Sequence, residues 1–125
     1  MQLLALPNLF AICRLAPNAP IPSWVTQNNF VSITRTDDEL SIVCDQAAAP
    51  NDALRGCERD WRCLRVNGPL DFALTGILAS LATPLAQASI SIFAISTFDT
   101  DYLLVKANQF EQAINTLRNA GHQVL

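Results

Sequence analysis

The second half of the chain carries a change of hydrophobic spacing that few folds can accommodate. Residues 61–66 (WRCLRV) form a run of β-formers, which Gly68 and the proline after it bring to an end. From Leu70 to Leu85 the apolar residues instead recur every three or four positions, which is the period of one face of an α-helix. A strand followed at once by a long amphipathic helix therefore opens this half.

Two further strands, a second helix and a final short strand complete the pattern. The apolar run 90–97 predicts a buried strand, and an Asp-Thr-Asp turn predicts that the next strand returns beside it. Residues 61–125 thus read β-α-β-β-α-β, which predicts an α+β, ferredoxin-like module with an antiparallel sheet. The remaining elements are a turn at 99–101, a strand over 102–106, a helix from a capping box at Asn108 and Glu111 to Gly121, and a strand over 122–125.

The first half looks like a reduced copy of the same module. Its strand-turn-strand segment, 30–44, aligns with the later hairpin at a shift of 62, and 12–15 aligns with 63–66 at a shift of 51. The 11 missing residues fall where the long helix belongs, and a short helix near 23–27 stands in its place. We therefore expect tandem βαββαβ modules, a degenerate one over 1–58 and a full one over 59–125.

Charge and hydropathy exclude several classes of partner. The chain has 8 basic and 11 acidic residues and no basic run, so a nucleic-acid partner or a polybasic membrane contact is not expected. Pro7 and Asn8 interrupt the apolar N-terminus, and no segment approaches the ~20 apolar residues of a membrane span. The four cysteines, which lack C-x-x-C spacing, are expected to be reduced thiols of a cytoplasmic protein without metal or cofactor: Cys13, Cys44, Cys57 and Cys63.

The sequence offers few combinations of residues that could form an active site. The one histidine, His122, follows a helix stop near the C-terminus, and no nucleophilic triad can be built without it. Pairs of aspartates stand in both predicted hairpin turns, where turn chemistry alone favours them. We expect no catalytic residues. The enzyme alternative rests on Asp99 and Asp101 as metal or acid–base groups.

One arrangement points to a small zwitterionic ligand. A helix that starts after Gly68 would turn free backbone N–H groups outward, and such groups attract a carboxylate. The hairpin 97–101, adjacent in this fold, offers hydroxyls and carboxylates for an ammonium group. The simpler interpretation is that Asp71 only complements the helix dipole and that Gly76 only allows close packing.

Long ordered stretches of the chain resemble the ACT domain. They are 61–66, 68–86 (GPLDFALTGILASLATPLA) and 90–107 (ISIFAISTFDTDYLLVKA). Residues 10–15 and 30–44 resemble the N-terminal half of small bacterial proteins built of two ACT-like halves. The resemblance implies a non-catalytic regulatory module that binds an amino acid at the interface between ACT modules, forms a homodimer and acts on an unidentified protein.

The resemblance also implies which residues form the ligand site, with Asp101 holding the ammonium group. Pro69 departs from the family because it removes an amide donor from the loop. That departure supports an alternative, a ligand-free assembly module that uses its sheet edge for protein contact. The implied site comprises Asp71, Thr75, Gly76 and Ile77 on the first helix, Thr97, Phe98 and Asp101 on the hairpin, and Ser32, Ile33 and Thr34 on the matching edge of the first half.

Overall fold

The computed structural model describes residues 1–71 and 73–125, and its strands and helices alternate as in an α+β fold. The strands are β1 (Gln2–Leu15), β2 (Val31–Arg35), β3 (Leu40–Asp45), β4 (Glu58–Val66), β5 (Phe93–Ser96), β6 (Asp101–Lys106) and β7 (Gln123–Val124). The α-helices are α1 (Asn51–Leu54), α2 (Ile77–Gln87) and α3 (Phe110–Asn119), and short 3-10 turns cover Ser23–Gln27, Gln46–Ala48 and Ala107–Gln109. None of these described helices is long and apolar enough to cross a membrane.

The chain divides into two compact units. The C-terminal unit contains residues 1–7 and 62–125, and the N-terminal unit contains residues 8–61. The first residues join the C-terminal unit because β1 pairs in parallel with β7, Gln2 opposite Gln123. The predicted modules 1–58 and 59–125 stay a prediction; they differ from these compact units at residues 1–7 and 59–61.

The C-terminal unit packs its helices on one face of its strands. Its strand order is β7-β1-β4-β6-β5, with β5 and β6 antiparallel. The apolar face of α3 is buried, since Phe110, Ala113, Ile114 and Leu117 recur at helical spacing and all lie in the core. Burial of Phe110, Ile114 and Leu117 contributes about 1.5 to 3 kcal/mol for each side chain. The buried core comprises Leu64 and Val66 of β4, Leu103 and Val105 of β6, Leu81 and Leu85 of α2, and Phe110, Ala113, Ile114 and Leu117 of α3.

The first long helix begins later than the apolar stripe predicts. Residues 70, 71 and 73–76 are not helical, and α2 starts at Ile77, so the prediction of a helix from Leu70 is wrong. The Asp71 carboxylate accepts a hydrogen bond from the Ala73 amide at 2.8 Å, a local turn that competes with helix formation. Gly76 then adopts a φ of +75°, outside the helical region. Phe72, also in the predicted helix, lies outside the described residues.

The second helix and the last strands lie within a few residues of their predicted places. The predicted strands 90–97 and 102–106 are observed as β5 and β6. The capping box at Asn108 does not form, because α3 is preceded by a 3-10 turn and its N-cap residue, Gln109, makes no side-chain capping bond. These differences leave the predicted element order intact.

The N-terminal unit is built on the antiparallel strands β2-β3-β1. Its core comprises buried residues of β1 and β3 with Val25 and Leu54. The predicted short helix near 23–27 is present as a 3-10 turn. The Asn28 amide ties this turn to β3, since it donates to the Val25 carbonyl at 2.7 Å and accepts from the Asp45 amide at 2.8 Å.

The two hairpins share one geometry, although not at the predicted register. In each, a four-residue loop starts with a threonine whose amide donates to the loop's last carbonyl: Thr36 to Glu39 at 2.9 Å and Thr97 to Thr100 at 2.8 Å. The strand pairs Arg35–Leu40 and Ser96–Asp101 correspond at a shift of 61. The predicted shift of 62 is therefore wrong by one residue, a slip that would turn each side chain to the opposite face.

Two of the four cysteines are bonded to each other, which corrects the expectation of four reduced thiols. Cys13 of β1 and Cys57 form a disulfide, with Cα atoms 4.4 Å apart. Cys44 and Cys63 are free and buried. Burial, with a smaller contribution from the Asp45 charge, raises the pKa of Cys44 to about 11, and burial raises the pKa of Cys63 to about 12. Both stay protonated at neutral pH and are poor nucleophiles.

We expect reduction of the Cys13–Cys57 disulfide to lower the free energy of unfolding by about 3 to 4 kcal/mol, because the bond joins residues 44 positions apart in the unfolded chain. Urea unfolding with and without dithiothreitol measures this. The Cys13→Ser/Cys57→Ser variant is the control, since the reductant should leave its midpoint unchanged. An equal midpoint for the wild type in both buffers would contradict the disulfide.

Candidate functional site

A cavity of about 330 Å³ lies in the C-terminal unit between the loop before α2 and the β5–β6 hairpin. We call it the hairpin cavity. Its walls come from two segments that are far apart in sequence and are held together by specific bonds. Its lining residues are Leu70, Asp71, Leu74, Gly76, Ile77 and Leu78 on one side and Ser96, Thr97, Phe98, Asp99, Thr100 and Asp101 on the other.

Two hydrogen bonds fasten the hairpin, one to the loop before α2 and the other to the end of β4. The Leu70 amide donates to the Asp99 carbonyl at 2.7 Å, and the Thr100 hydroxyl donates to the Val66 carbonyl at 2.6 Å. Thr100 is only 7% exposed, so an unpaired hydroxyl there would be costly. Gly68 makes the close approach possible, because a Cβ at this position would lie 3.1 Å from the Asp99 carbonyl oxygen.

Side-chain hydrogen bonds shape the hairpin itself. The Thr97 hydroxyl donates to the Thr100 carbonyl at 3.1 Å, and the Ser96 hydroxyl donates to one carboxylate oxygen of Asp101 at 2.6 Å. Within residues 1–71 and 73–125, the other Asp101 oxygen has no protein partner. Asp101 is partly buried at the first position of β6, so its free oxygen has a fixed place beside the cavity.

The start of α2 lies at the other wall. Gly76 is the N-cap residue, and Ile77 and Leu78 begin the helix. The first N–H groups of a helix have no acceptor within it and carry the positive end of its dipole. The helix start lies at Gly76 and not at Gly68, and its attraction for an anion stays a prediction.

The cavity combines three kinds of surface. The helix start favours an anionic group, whereas the carboxylates of Asp71 and Asp101 favour a cationic one. At the rim, Leu74 is 54% exposed and Phe98 is 78% exposed, which are large values for apolar side chains. This arrangement offers one cavity to a ligand that carries an anionic, a cationic and an apolar group.

The structure brings six of the predicted site residues to this cavity and leaves four elsewhere. Thr75 is exposed and does not line the cavity, although both of its neighbours do. Ser32, Ile33 and Thr34 lie on β2 of the N-terminal unit, and their role in ligand binding stays a prediction. The six lining residues are Asp71, Gly76, Ile77, Thr97, Phe98 and Asp101.

Several lining residues were not predicted from the sequence. Leu74 and Leu78 fit the apolar stripe and were assigned to a helix face. Ser96 carries no local signal, because its role depends on the cross-strand pair with Asp101. A correct hairpin register would have placed it beside the carboxylate.

Sequence comparison identifies the family to which this arrangement belongs. A family model of the ACT domain matches residues 56–119, the segment that holds both walls of the hairpin cavity. The chain belongs to the ACT domain family. A second family model, of an N-terminal domain, matches residues 8–52.

Relatives of this ACT protein include a eukaryotic sensor. The human cytosolic arginine sensor for mTORC1 subunit 1 is 37% identical over 109 residues, which are 82% of this chain and 32% of the sensor. The orangutan (Pongo abelii) protein of the same name shows the same identity over the same share of each chain. The chain thus spans about a third of the length of these relatives.

Solved structures share the fold. A crystal structure of an Agobacterium tumefaciens protein superposes with a TM-score of 0.91 at 45% identity, covering 99% of this chain and 91% of that one. The ligand-free regulatory subunit of Thermus thermophilus aspartate kinase gives a TM-score of 0.67 at 14% identity, covering 95% and 96%. At that low identity the second match shows a common fold alone.

We expect Gly68→Ala to lower the free energy of unfolding by about 1 to 3 kcal/mol, because the new methyl would crowd the Asp99 carbonyl and the Thr100 side chain. Gly56→Ala is the matched control, since no atom lies within 4 Å of its Cβ position. Its effect should stay within about 0.5 kcal/mol. Equal unfolding midpoints for the two variants would show that the loop does not need this close approach.

Proposed function

We propose that this ACT protein is a non-catalytic regulatory protein that binds an amino acid in the hairpin cavity. The observation that carries the proposal is the pairing of a helix start with the carboxylate of Asp101 across one cavity. Its volume of about 330 Å³ falls at the small end of ligand pockets, as suits a ligand of amino-acid size. The arginine sensor's similarity supports the same ligand class.

The ligand carboxylate lies at the start of α2 in this proposal. The free N–H groups after Gly76 donate to it, and the helix dipole stabilises its charge by about 0.3 to 1 kcal/mol. Pro69, which lacks an amide donor, is not required for this contact because it does not line the hairpin cavity. The departure from the family at Pro69 therefore does not weaken the proposal.

The ligand ammonium group lies beside Asp101. One Asp101 oxygen is occupied by Ser96, so the carboxylate is oriented before a ligand arrives. A charge-assisted hydrogen bond to the other oxygen is about twice as strong as a neutral one. The ligand side chain then extends toward Phe98 and Leu74, whose exposed apolar surface it covers.

The wider architecture is part of the proposal. We propose tandem ACT-like modules whose first copy lacks the long helix, as the matching hairpin loops 36–39 and 97–100 support. The similarity to a cytosolic sensor supports a cytoplasmic location for this protein. We also propose that it acts as a homodimer on a regulated protein.

A second candidate is a ligand-free assembly module. It is favoured by Val31 and Ile33, which are 38% and 40% exposed on β2, the terminal strand of the strand order. Exposed apolar edge strands are usually paired or covered. A protein of this kind would gain no stability from any amino acid.

A thermal-shift screen against the twenty standard amino acids tests the proposed function. A ligand at 100 times its Kd adds about 2.7 kcal/mol, which raises the unfolding midpoint by roughly 8 °C or more. Asp101→Asn should remove this shift, because it deletes the charge and retains an acceptor for Ser96.

Asp37→Asn is the matched control, since Asp37 is an exposed aspartate in the loop of the other hairpin. It should leave the shift unchanged. A flat screen with the wild type would favour the assembly module. A full shift with Asp101→Asn would show that the ligand lies elsewhere.

A further inference from the structure

A second cavity, of about 280 Å³, lies beside the hairpin loop of the C-terminal unit. It shares Asp99 and Thr100 with the hairpin cavity but otherwise has its own walls. Its further lining residues are Arg65, Gly68, Pro69 and Tyr102. We call it the Arg65 cavity.

The Arg65 guanidinium carries a positive charge and N–H donors that are not used by another described residue. Arg65 is partly buried on β4 between Leu64 and Val66, which belong to the helix-packed core, so its side chain is on the other face of the strand. Within residues 1–71 and 73–125 its guanidinium makes no hydrogen bond, ion pair or ring contact. By contrast, four other arginines donate hydrogen bonds to backbone carbonyls: Arg14, Arg35, Arg62 and Arg118. Arg55 forms an ion pair with Asp52.

A guanidinium of this kind suits a carboxylate. Its donors form a planar fork that matches the two oxygens of a carboxylate or phosphate, and partial burial strengthens the interaction. A partly buried cation without a partner has lost some of its hydration without compensation. A bound anion would restore that loss.

The opposite charge in the lining selects among anions. Asp99 lines the same cavity, and its side chain forms no ion pair with Arg65. Its backbone carbonyl is fixed by the Leu70 amide, and the neighbouring Thr100 is fixed by Val66, so this wall is rigid. A doubly charged phosphate would be repelled by Asp99, whereas a molecule with separate anionic and cationic groups fits both charges.

We propose that the Arg65 cavity is a second ligand site, for a small zwitterion whose carboxylate pairs with Arg65 and whose cationic group faces Asp99. The rings of Pro69 and Tyr102 supply apolar wall for the ligand's carbon skeleton. The proposal is independent of amino-acid binding in the hairpin cavity, because Arg65 and Tyr102 do not line that cavity.

NMR titration of the full chain separates the two sites. The probes are the twenty standard amino acids, acetate and inorganic phosphate, and the signals are backbone amides that belong to one cavity only. Arg65, Gly68 and Tyr102 report on the Arg65 cavity, and Gly76, Ile77 and Leu78 report on the hairpin cavity. The proposal expects saturable shifts at the first group with at least one amino acid, and affinities at least about tenfold lower for acetate and phosphate.

Variants of Arg65 complete the test. Arg65→Gln should weaken the binding seen at the first group at least about tenfold, and Arg65→Lys should weaken it less because the charge remains. Arg55→Gln is the matched control, an exposed arginine of the N-terminal unit, and should change nothing. Shifts confined to the second group, phosphate binding as tight as that of any amino acid, or binding unchanged in Arg65→Gln would each overturn the second site and leave the first untouched.

Discussion

The attachment of the end of β4 and of Leu70 to the β5–β6 hairpin is the constraint on which the functional part of this structure depends. The Leu70–Asp99 and Thr100–Val66 hydrogen bonds are short and draw two distant segments together. They hold Val66 and Leu70 beside the hairpin, and the start of α2 at Ile77 lines the same cavity as the hairpin. Without these two hydrogen bonds, we expect the amides after Gly76 and the Asp101 carboxylate not to be held at the same cavity.

The attached hairpin loop lies between the hairpin cavity and the Arg65 cavity and lines both. Asp99 and Thr100 contribute to both cavities, while each cavity draws its charge-bearing partner from elsewhere, Asp101 in one case and Arg65 in the other. Hydrogen bonds between Thr97 and Thr100 hold this four-residue loop together. The family membership accounts for the loop's position, and the particular side chains of this chain account for its chemistry.

Periodicity could predict elements whose burial follows directly from spacing. The apolar face of α3 is an example, because Phe110, Ala113, Ile114 and Leu117 repeat at the helical period and nothing local competes. The start of α2 could not be predicted in this way. Leu70 and Leu74 fit the same stripe, but the turn at Asp71 and the positive φ of Gly76 take those residues out of the helix.

Tertiary pairing explains the other differences between sequence and structure. The Cys13–Cys57 bond depends on where the chain returns after α1, which no local motif encodes. The predicted alignment of the two hairpins is wrong by one residue because it matched the aspartates of the two loops. The threonines that begin the loops, Thr36 and Thr97, correspond in the structure instead. For the candidate site, the predicted residues at the cavity came from a family resemblance, and their partners, such as Ser96, required the strand pairs.

Amide hydrogen exchange measured with and without the amino acid that gives the largest thermal shift tests the central claim most directly. The account predicts slower exchange in the first turn of α2, residues 77–80, and in the hairpin loop with the first residue of β6, residues 97–101, because a ligand in the hairpin cavity bonds or covers both. Unchanged exchange in both segments at saturating ligand would contradict the account.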